Sequence, residues 1–274
     1  MTTLRELRFR GRAEATEERI NPRDVDLLLA DAAGHDPVWL LAHDDQTATG
    51  EVESRFRADF RRRMSGEPLQ YIRRKSEFFG REFRVDSRVL IPRPETEQLV
   101  EAAIRFAPHG GRIVDVGTGS GCVAVSIALE RPDLHVFATD TSFGALLVAR
   151  CNRDRLSARV NLAAMSVLDG TRRSFQAVVS NPPYIPSADV DGLQTEVRDH
   201  EPRQALTPGI DGLRIIRGLL QESQRLLTEG GVLALEIGFG QSEAVREIAD
   251  AAGWKRLTIL DDFAAIPRIA ILFR

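Results

Sequence analysis

From about residue 95 to the C-terminus, short apolar runs alternate with amphipathic stretches of helical period. This alternation narrows the possible folds more than any other property of the chain. Helical patterns cover ETEQLVEAAIRFA (95–107), VAVSIALERP (123–132), SFGALLVARCNRDRL (142–156), DGLRIIRGLLQESQRLL (211–227) and SEAVREIADAAG (242–253). Between them lie strand-like RIVDVG (112–117), HVFATD (135–140), VNLAA (160–164), AVVSN (177–181) and GVLALEIG (231–238), with 182–207 reading as a long irregular stretch. Strands that are apolar throughout are buried on both faces, which predicts an α/β fold: a doubly wound, mainly parallel sheet covered by helices on both sides. KRLTIL (255–260) and IPRIAILFR (266–274) are separated only by 261–265, so the sheet is expected to close with an antiparallel C-terminal strand.

The N-terminal quarter has another character. Residues 1 to about 72 read as a small helical bundle, with DVDLLLADAAG (24–34) at helical spacing, a start at Asn21-Pro22 and a stop at Gly34. PVWLLAH (37–43) and the arginine-rich 51–64 supply further helices. In 73–92, SEFFGREFRVDSRVLIP alternates at Phe83, Val85, Val89 and Ile91 around Asp86-Ser87, which predicts a β-hairpin linker turning there. The expected organisation is a helical docking module (1–72), a hairpin linker (73–92) and an α/β domain (93–274). The 274 residues are enough for two such domains.

Composition excludes several classes. No apolar run approaches the ~18 residues of a membrane-spanning helix, and the charged N-terminus lacks the apolar core of a signal peptide. Cys122 and Cys151 form no ligand spacing and the five histidines are scattered, so no metal site is expected and a reducing cytoplasm fits. Acidic residues (40) slightly outnumber basic ones (37), whereas proteins that grip a nucleic-acid backbone usually carry a basic excess. The basic cluster RFRADFRRR (55–63) with RRK (73–75) reads as a solvated helix face.

Two local motifs carry chemistry. Asp115-Val116-Gly117-Thr118-Gly119-Ser120-Gly121 follows an apolar strand and opens a helix. Glycines there permit a tight turn and close approach to a ligand, and the helix start offers free N–H groups. Asp140 lies 19 residues past Gly121 at the end of the next strand, where a carboxylate can accept both hydroxyls of a ribose. The combination predicts an adenosine-type cofactor. The spacing G-T-G-S-G differs from the G-x-G-x-x-G of nicotinamide enzymes and favours the methyl donor S-adenosylmethionine.

The second motif, Asn181-Pro182-Pro183-Tyr184, stands at the carboxyl end of the strand AVVS (177–180), beside the predicted cofactor crevice. The prolines restrict the backbone and remove two donors, leaving carbonyls to accept. The Asn181 side-chain oxygen and the Pro182 carbonyl can fix a planar NH2 group through both its N–H bonds, and Tyr184 can stack on that group. Alignment of this kind can contribute up to roughly 7–11 kcal/mol. A proline turn over a packed aromatic is the plainer reading of the same residues.

VDVGTGSG, ATD, SNPPY and LIPRPETE together resemble the class I methyltransferases, and specifically the HemK-type protein-(glutamine-N5) methyltransferases. The resemblance extends over nearly the whole chain, through LLLA and AAG (27–34), GEPLQYI (66–72), the segment 76–97, EVRDHEP (196–202) and EIG with GQ (236–241). It implies that Gly117, Thr118, Gly119, Ser120 and Gly121 cradle the methionine and ribose parts of S-adenosylmethionine, with Asp140 on the ribose and Val167 beside the adenine. It also implies that Asn181, next to the cofactor, binds a glutamine amide together with Pro182, Pro183 and Tyr184. Arg93, Glu95 and Thr96 are placed near the mouth, although Thr96 and Glu97 also suit an ordinary first helical turn. The implied acceptor is the glutamine of the Gly-Gly-Gln motif of peptide chain release factors, with neither nucleic acid nor membrane as partner. Ser166 stands where such enzymes often carry an acid. A ribosomal-protein glutamine, an exocyclic amine of nucleic acid, and cofactor binding without turnover are the alternative readings.

Overall fold

The computed structural model describes residues 2–166 and 174–274. The chain divides into two compact units, Met1–Arg74 with Thr195–His200, and Lys75–Gln194 with Glu201–Arg274.

The first unit is helical: α1 (Leu4–Glu17), α2 (Pro22–Ala33), α3 (Pro37–Ala42), α4 (Gly50–Met64) and α5 (Leu69–Arg73). Side chains set the boundaries. Thr3 and Glu6 form a capping box on α1, Asn21 accepts from Arg23 N ahead of Pro22, and α2 ends at Gly34 in the left-handed region. Leu4, Leu7, Val25, Leu28, Leu29, Leu40, Phe56 and Phe60 form its core. Each large aliphatic side chain withdrawn from water there contributes about 1.5–3 kcal/mol. Three arginines of the basic cluster are ion-paired at the surface of this unit: Arg57 with Glu53, Arg62 with Glu67, and Arg73 with Asp31. Arg63 is buried between Asp24 (2.7 Å) and Glu196 (2.6 Å). Glu196 lies in the part of 182–207 read from sequence as irregular; residues 195–200 are instead helical and belong to this unit.

In the second unit β1 (Ser76–Phe78) and β2 (Arg81–Phe83) form an antiparallel hairpin. Its turn is Phe79-Gly80, not the expected Asp86-Ser87. Both turn residues have positive φ (49° and 68°), as a two-residue primed turn demands. Val85, Val89 and Ile91 are buried, but none pairs as a strand, so their alternation marks burial and not a ladder. Asp86 still turns the chain, accepting from Val89 N and Arg88 N.

The remaining elements are α6 (Glu97–Phe106), β3 (Arg112–Val116), α7 (Cys122–Glu130), β4 (His135–Asp140), α8 (Phe143–Arg155), β5 (Val160–Ala164), β6 (Phe175–Ser180), α9 (Thr195–His200, in the first unit), α10 (Arg203–Leu206), α11 (Arg214–Leu226), β7 (Leu227–Glu236), α12 (Ser242–Ala251), β8 (Arg256–Asp261) and β9 (Pro267–Phe273). The seven-stranded sheet has the order β5-β4-β3-β6-β7-β9-β8, with β9 antiparallel to both β7 and β8. The expected parallel sheet with an antiparallel C-terminal strand is what forms. Alternate residues of the central strands enter opposite cores. Ile113, Ala177 and Val179 pack with α6 and α7, while Val114, Val178 and Leu233 pack with α11 and α12.

Candidate active site

The chain runs from β3 outward through β4 to β5, then returns to β6 on the other side of β3. The adjacent carboxyl ends of β3 and β6 are therefore the switch point, where open α/β sheets leave a crevice. The two strand ends are tied together by Ser180 Oγ, which donates to Val116 O at 2.6 Å.

The glycine turn leaves β3 at this point. Gly117 N and Thr118 N both donate to Thr139 O at the end of β4 (2.8 and 2.9 Å). Gly119 N donates to Asp140 Oδ2 at 2.9 Å, and the other Asp140 oxygen accepts Ser142 N at 2.8 Å. Gly117, Gly119 and Gly121 have φ of 75°, 54° and 81°, in the left-handed region that favours glycine. The three glycines serve two purposes. A Cβ on Gly117 or Gly119 would meet nothing within 4 Å, whereas one on Gly121 would stand 3.1 Å from Ala149 Cβ on α8. Behind the turn, buried Asn152 donates to Ser120 O and Arg84 O (both 2.9 Å) and accepts Arg84 N, locking α8, turn and post-hairpin segment together.

Asp115 is buried at the foot of the turn and accepts from Thr118 Oγ1 at 2.6 Å. Burial pushes its carboxyl up to about 7, against the opposing Thr118 bond. In the sequence it only opens the glycine motif and has no role of its own, although a carboxylate inside the apolar run RIVDVG signals burial.

Beyond β6, the Asn181 Nδ2 donates to Thr96 Oγ1 at 2.9 Å, and Thr96 Oγ1 donates to Glu236 Oε2 at 2.6 Å. The Tyr184 hydroxyl donates to the other oxygen, Glu236 Oε1, at 3.1 Å. Thr96 and Glu236 are 3% and 1% exposed, so the bond between them is shielded from solvent. Burial raises the Glu236 carboxyl above its ordinary value, opposed by the Thr96 and Tyr184 bonds. Burial, reinforced by Glu236, also raises the Tyr184 phenol, which therefore stays a neutral donor. Thr96 precedes α6 but makes no side-chain cap, its hydroxyl being committed to Glu236. Glu97 accepts Phe79 N at 2.7 Å, fixing the hairpin turn.

These elements enclose a cavity of about 390 Å³, within the roughly 300–1,000 Å³ of small-molecule sites. Gly117, Thr118, Gly119, Ser120, Asp140, Asn181, Pro182 and Pro183 all line it, as do Arg93, Thr96 and Ser166. Gly121 and Tyr184 stand behind the wall, the first against α8 and the second packed on the α11–α12 core. Val167 lies outside the described residues. Pro202, Gln204, Ala205, Thr207, Pro208 and Arg214 form a further wall to which the sequence assigns no role. Arg93 is held there by the buried carboxylate of Glu201.

The residues present fit an adenosine-type methyl donor. Two bare glycine faces open into the cavity, and Asp140 stands at the neighbouring strand end with carboxylate lone pairs in excess of its two backbone bonds. Residues 94–209 match the methyltransferase small domain family, and residues 8–73 match the PrmC N-terminal domain family. Among solved structures, a methyltransferase from Pyrococcus furiosus superposes with a TM-score of 0.55 at 19% identity, over 72% of this chain and 90% of that one. The Thermus thermophilus 16S rRNA N2 G1207 methyltransferase, in complex with AdoMet and guanosine, gives 0.54 at 16% identity, over 73% and 49%. Fold and family together define an S-adenosylmethionine-dependent methyltransferase of class I architecture. Curated relatives are closer in sequence. The release factor glutamine methyltransferase of Neisseria gonorrhoeae is 44% identical over 89% of this chain and 90% of its own length, and that of Geobacter sulfurreducens 41% identical over 90% and 87%. The chain belongs to the release factor glutamine methyltransferase family.

Among the described residues no helix is long and apolar enough to cross a membrane.

Proposed function

We propose that this enzyme transfers a methyl group from S-adenosylmethionine to the side-chain amide nitrogen (N5) of the glutamine in the Gly-Gly-Gln motif of peptide chain release factors. The observation that carries this reading is the meeting of the glycine turn, Asp140 and Asn181-Pro182 on the walls of one cavity. When bound, the cofactor supplies a methyl on a sulfonium, a good leaving group. The chain's own residues bind and align. Asp140 accepts the ribose hydroxyls, and the Gly117–Ser120 turn backs the ribose and methionine parts. Ser166, on the cavity wall, lies toward the adenine.

The acceptor amide is a weak nucleophile because its lone pair is shared with its carbonyl. Asn181 Oδ1 and the Pro182 carbonyl accept its two N–H bonds and turn the nitrogen lone pair toward the methyl. No amide N–H of Pro182 or Pro183 competes for these carbonyls. The nitrogen becomes acidic only as the new bond forms, so its proton leaves afterwards without a strong base poised beforehand. Pro183 and Tyr184 hold the shape of the tetrapeptide. The helical unit docks the release factor, and the compartment is the cytoplasm.

The test is transfer of labelled methyl from S-adenosylmethionine to a purified release factor, beside a variant with Gly-Gly-Gln changed to Gly-Gly-Ala. Label on the first alone supports the assignment. Equal label on both, or label only on ribosomal protein or RNA, defeats it.

A further inference from the structure

We infer that Glu236, acting through Thr96, sets which end of the Asn181 amide faces the acceptor, and that the two are positioning residues for methyl transfer. The inference rests on the role given to Asn181 above. A primary amide is ambidextrous: rotated by half a turn it exchanges an acceptor for two donors with almost no change of shape. Only the orientation that offers Oδ1 can receive an NH2 group. With Nδ2 forward, donor would face donor.

A hydroxyl neighbour cannot by itself choose between the two, because it also both donates and accepts. Thr96 has one proton, and it lies on the 2.6 Å bond to Glu236 Oε2. Toward Asn181 it can then only accept, and it accepts Nδ2 at 2.9 Å. A carboxyl group whose two oxygens both accept offers no donor back to Thr96. Both Glu236 oxygens are used as acceptors, one from Thr96 and one from the Tyr184 hydroxyl at the far end of the tetrapeptide. The polarity therefore runs one way, from Asn181 through Thr96 to Glu236, and leaves Oδ1 on the cavity side.

The sheet brings these groups together. Ser180 on β6 is in register with Leu235 on β7, so the next residues, Asn181 and Glu236, leave neighbouring strands side by side. Thr96 reaches them from the start of α6. Burying a carboxyl at 1% exposure is costly. A core-filling residue would pack β7 equally well but would leave the amide free to turn.

The experiment compares steady-state methylation of a release factor by wild type, Thr96→Val, Thr96→Ala and Thr96→Ser, with S-adenosylmethionine affinity as the folding control. Removing the hydroxyl is expected to lower kcat about 100-fold, with KM for the release factor and cofactor affinity within about three-fold of wild type. Thr96→Ser should recover kcat to within about three-fold, because it keeps the one-proton relay. In an Asn181→Ala background, Thr96→Val should cost nothing further, since its effect passes through the missing amide. A folded Thr96→Val or Thr96→Ala enzyme with near wild-type kcat overturns the inference. So does a Thr96→Ser enzyme as slow as Thr96→Val, or an additive double variant. A wild type inactive on release factors removes the proposed function, and the inference with it. An active wild type with an indifferent Thr96→Val removes the inference alone.

Discussion

The carboxylate of Asp140 accepts the backbone N–H of Gly119 at 2.9 Å, 21 positions earlier in the sequence. The acid at the end of β4 and the glycine turn after β3 are thus one structure, and the carboxylate proposed to meet the ribose also holds the turn. Asp140→Ala should weaken S-adenosylmethionine binding about 10- to 100-fold, in line with the loss of a charge-assisted hydrogen bond. Calorimetric titration checks this, and unchanged affinity would remove Asp140 from the cofactor site.

Gly121 and Gly119 should respond differently to alanine. At Gly121 the new Cβ meets Ala149 Cβ at 3.1 Å and Cα at 3.2 Å, in a backbone with φ of 81°. Unfolding free energy should fall by about 1–3 kcal/mol. Gly119→Ala has open space and should affect cofactor affinity more than the steric clash at Gly121 does. Denaturant melts and titration of both variants separate the two effects, and identical profiles would contradict the distinction.

Asn181→Ala removes the acceptor proposed for the substrate amide while leaving the glycine turn and Asp140 in place. A fall of about 100-fold or more in kcat is expected, with cofactor affinity within a few-fold of wild type. Near-normal turnover would refute the amide clamp.

Asp115 links stability to pH. Its folded-state carboxyl lies at about 7, above the ordinary value of about 4 that the unfolded chain shows. Between those values the folded state holds a proton that the unfolded state has released. The contribution is therefore full below about pH 4, falls as pH rises to about 7, and is flat above that. Asp115→Asn has no such proton to lose, so its stability should decline less than that of wild type over this interval. Parallel stability curves for the two proteins would contradict the assignment.

The first unit depends on a buried cation. Arg63 is 7% exposed and meets both Asp24 and Glu196. Arg63→Met leaves Asp24 buried without a partner and should cost about 3–5 kcal/mol. Hydrogen exchange should show the loss in α2 and α4, and an unchanged exchange pattern would show that the ion pairs are dispensable.

What could be read in the sequence was what is local. The glycine turn, Asp140 and Asn181–Tyr184 each sit beside an apolar strand whose end they mark, so position and chemistry were visible together. The Thr96–Glu236 bond spans 140 positions, and each partner alone suits an ordinary element boundary. A carboxylate in LALEIG was the sign that something buried it. The hairpin turn was misplaced because Phe79 adopts a φ of 49° that favours glycine or asparagine, so the residue type hid the turn. Helix α9 was missed because TEVRDH has almost no apolar face, and it is held by Glu196 on Arg63, 133 positions away.

The central claim is tested most directly by mass spectrometry of a purified release factor after incubation with this enzyme and S-adenosylmethionine. The predicted result is one added methyl, localised to the glutamine of Gly-Gly-Gln and absent with Asn181→Ala. An unmodified glutamine in a reaction where the enzyme binds its cofactor, or a methyl placed elsewhere on the release factor, would contradict it.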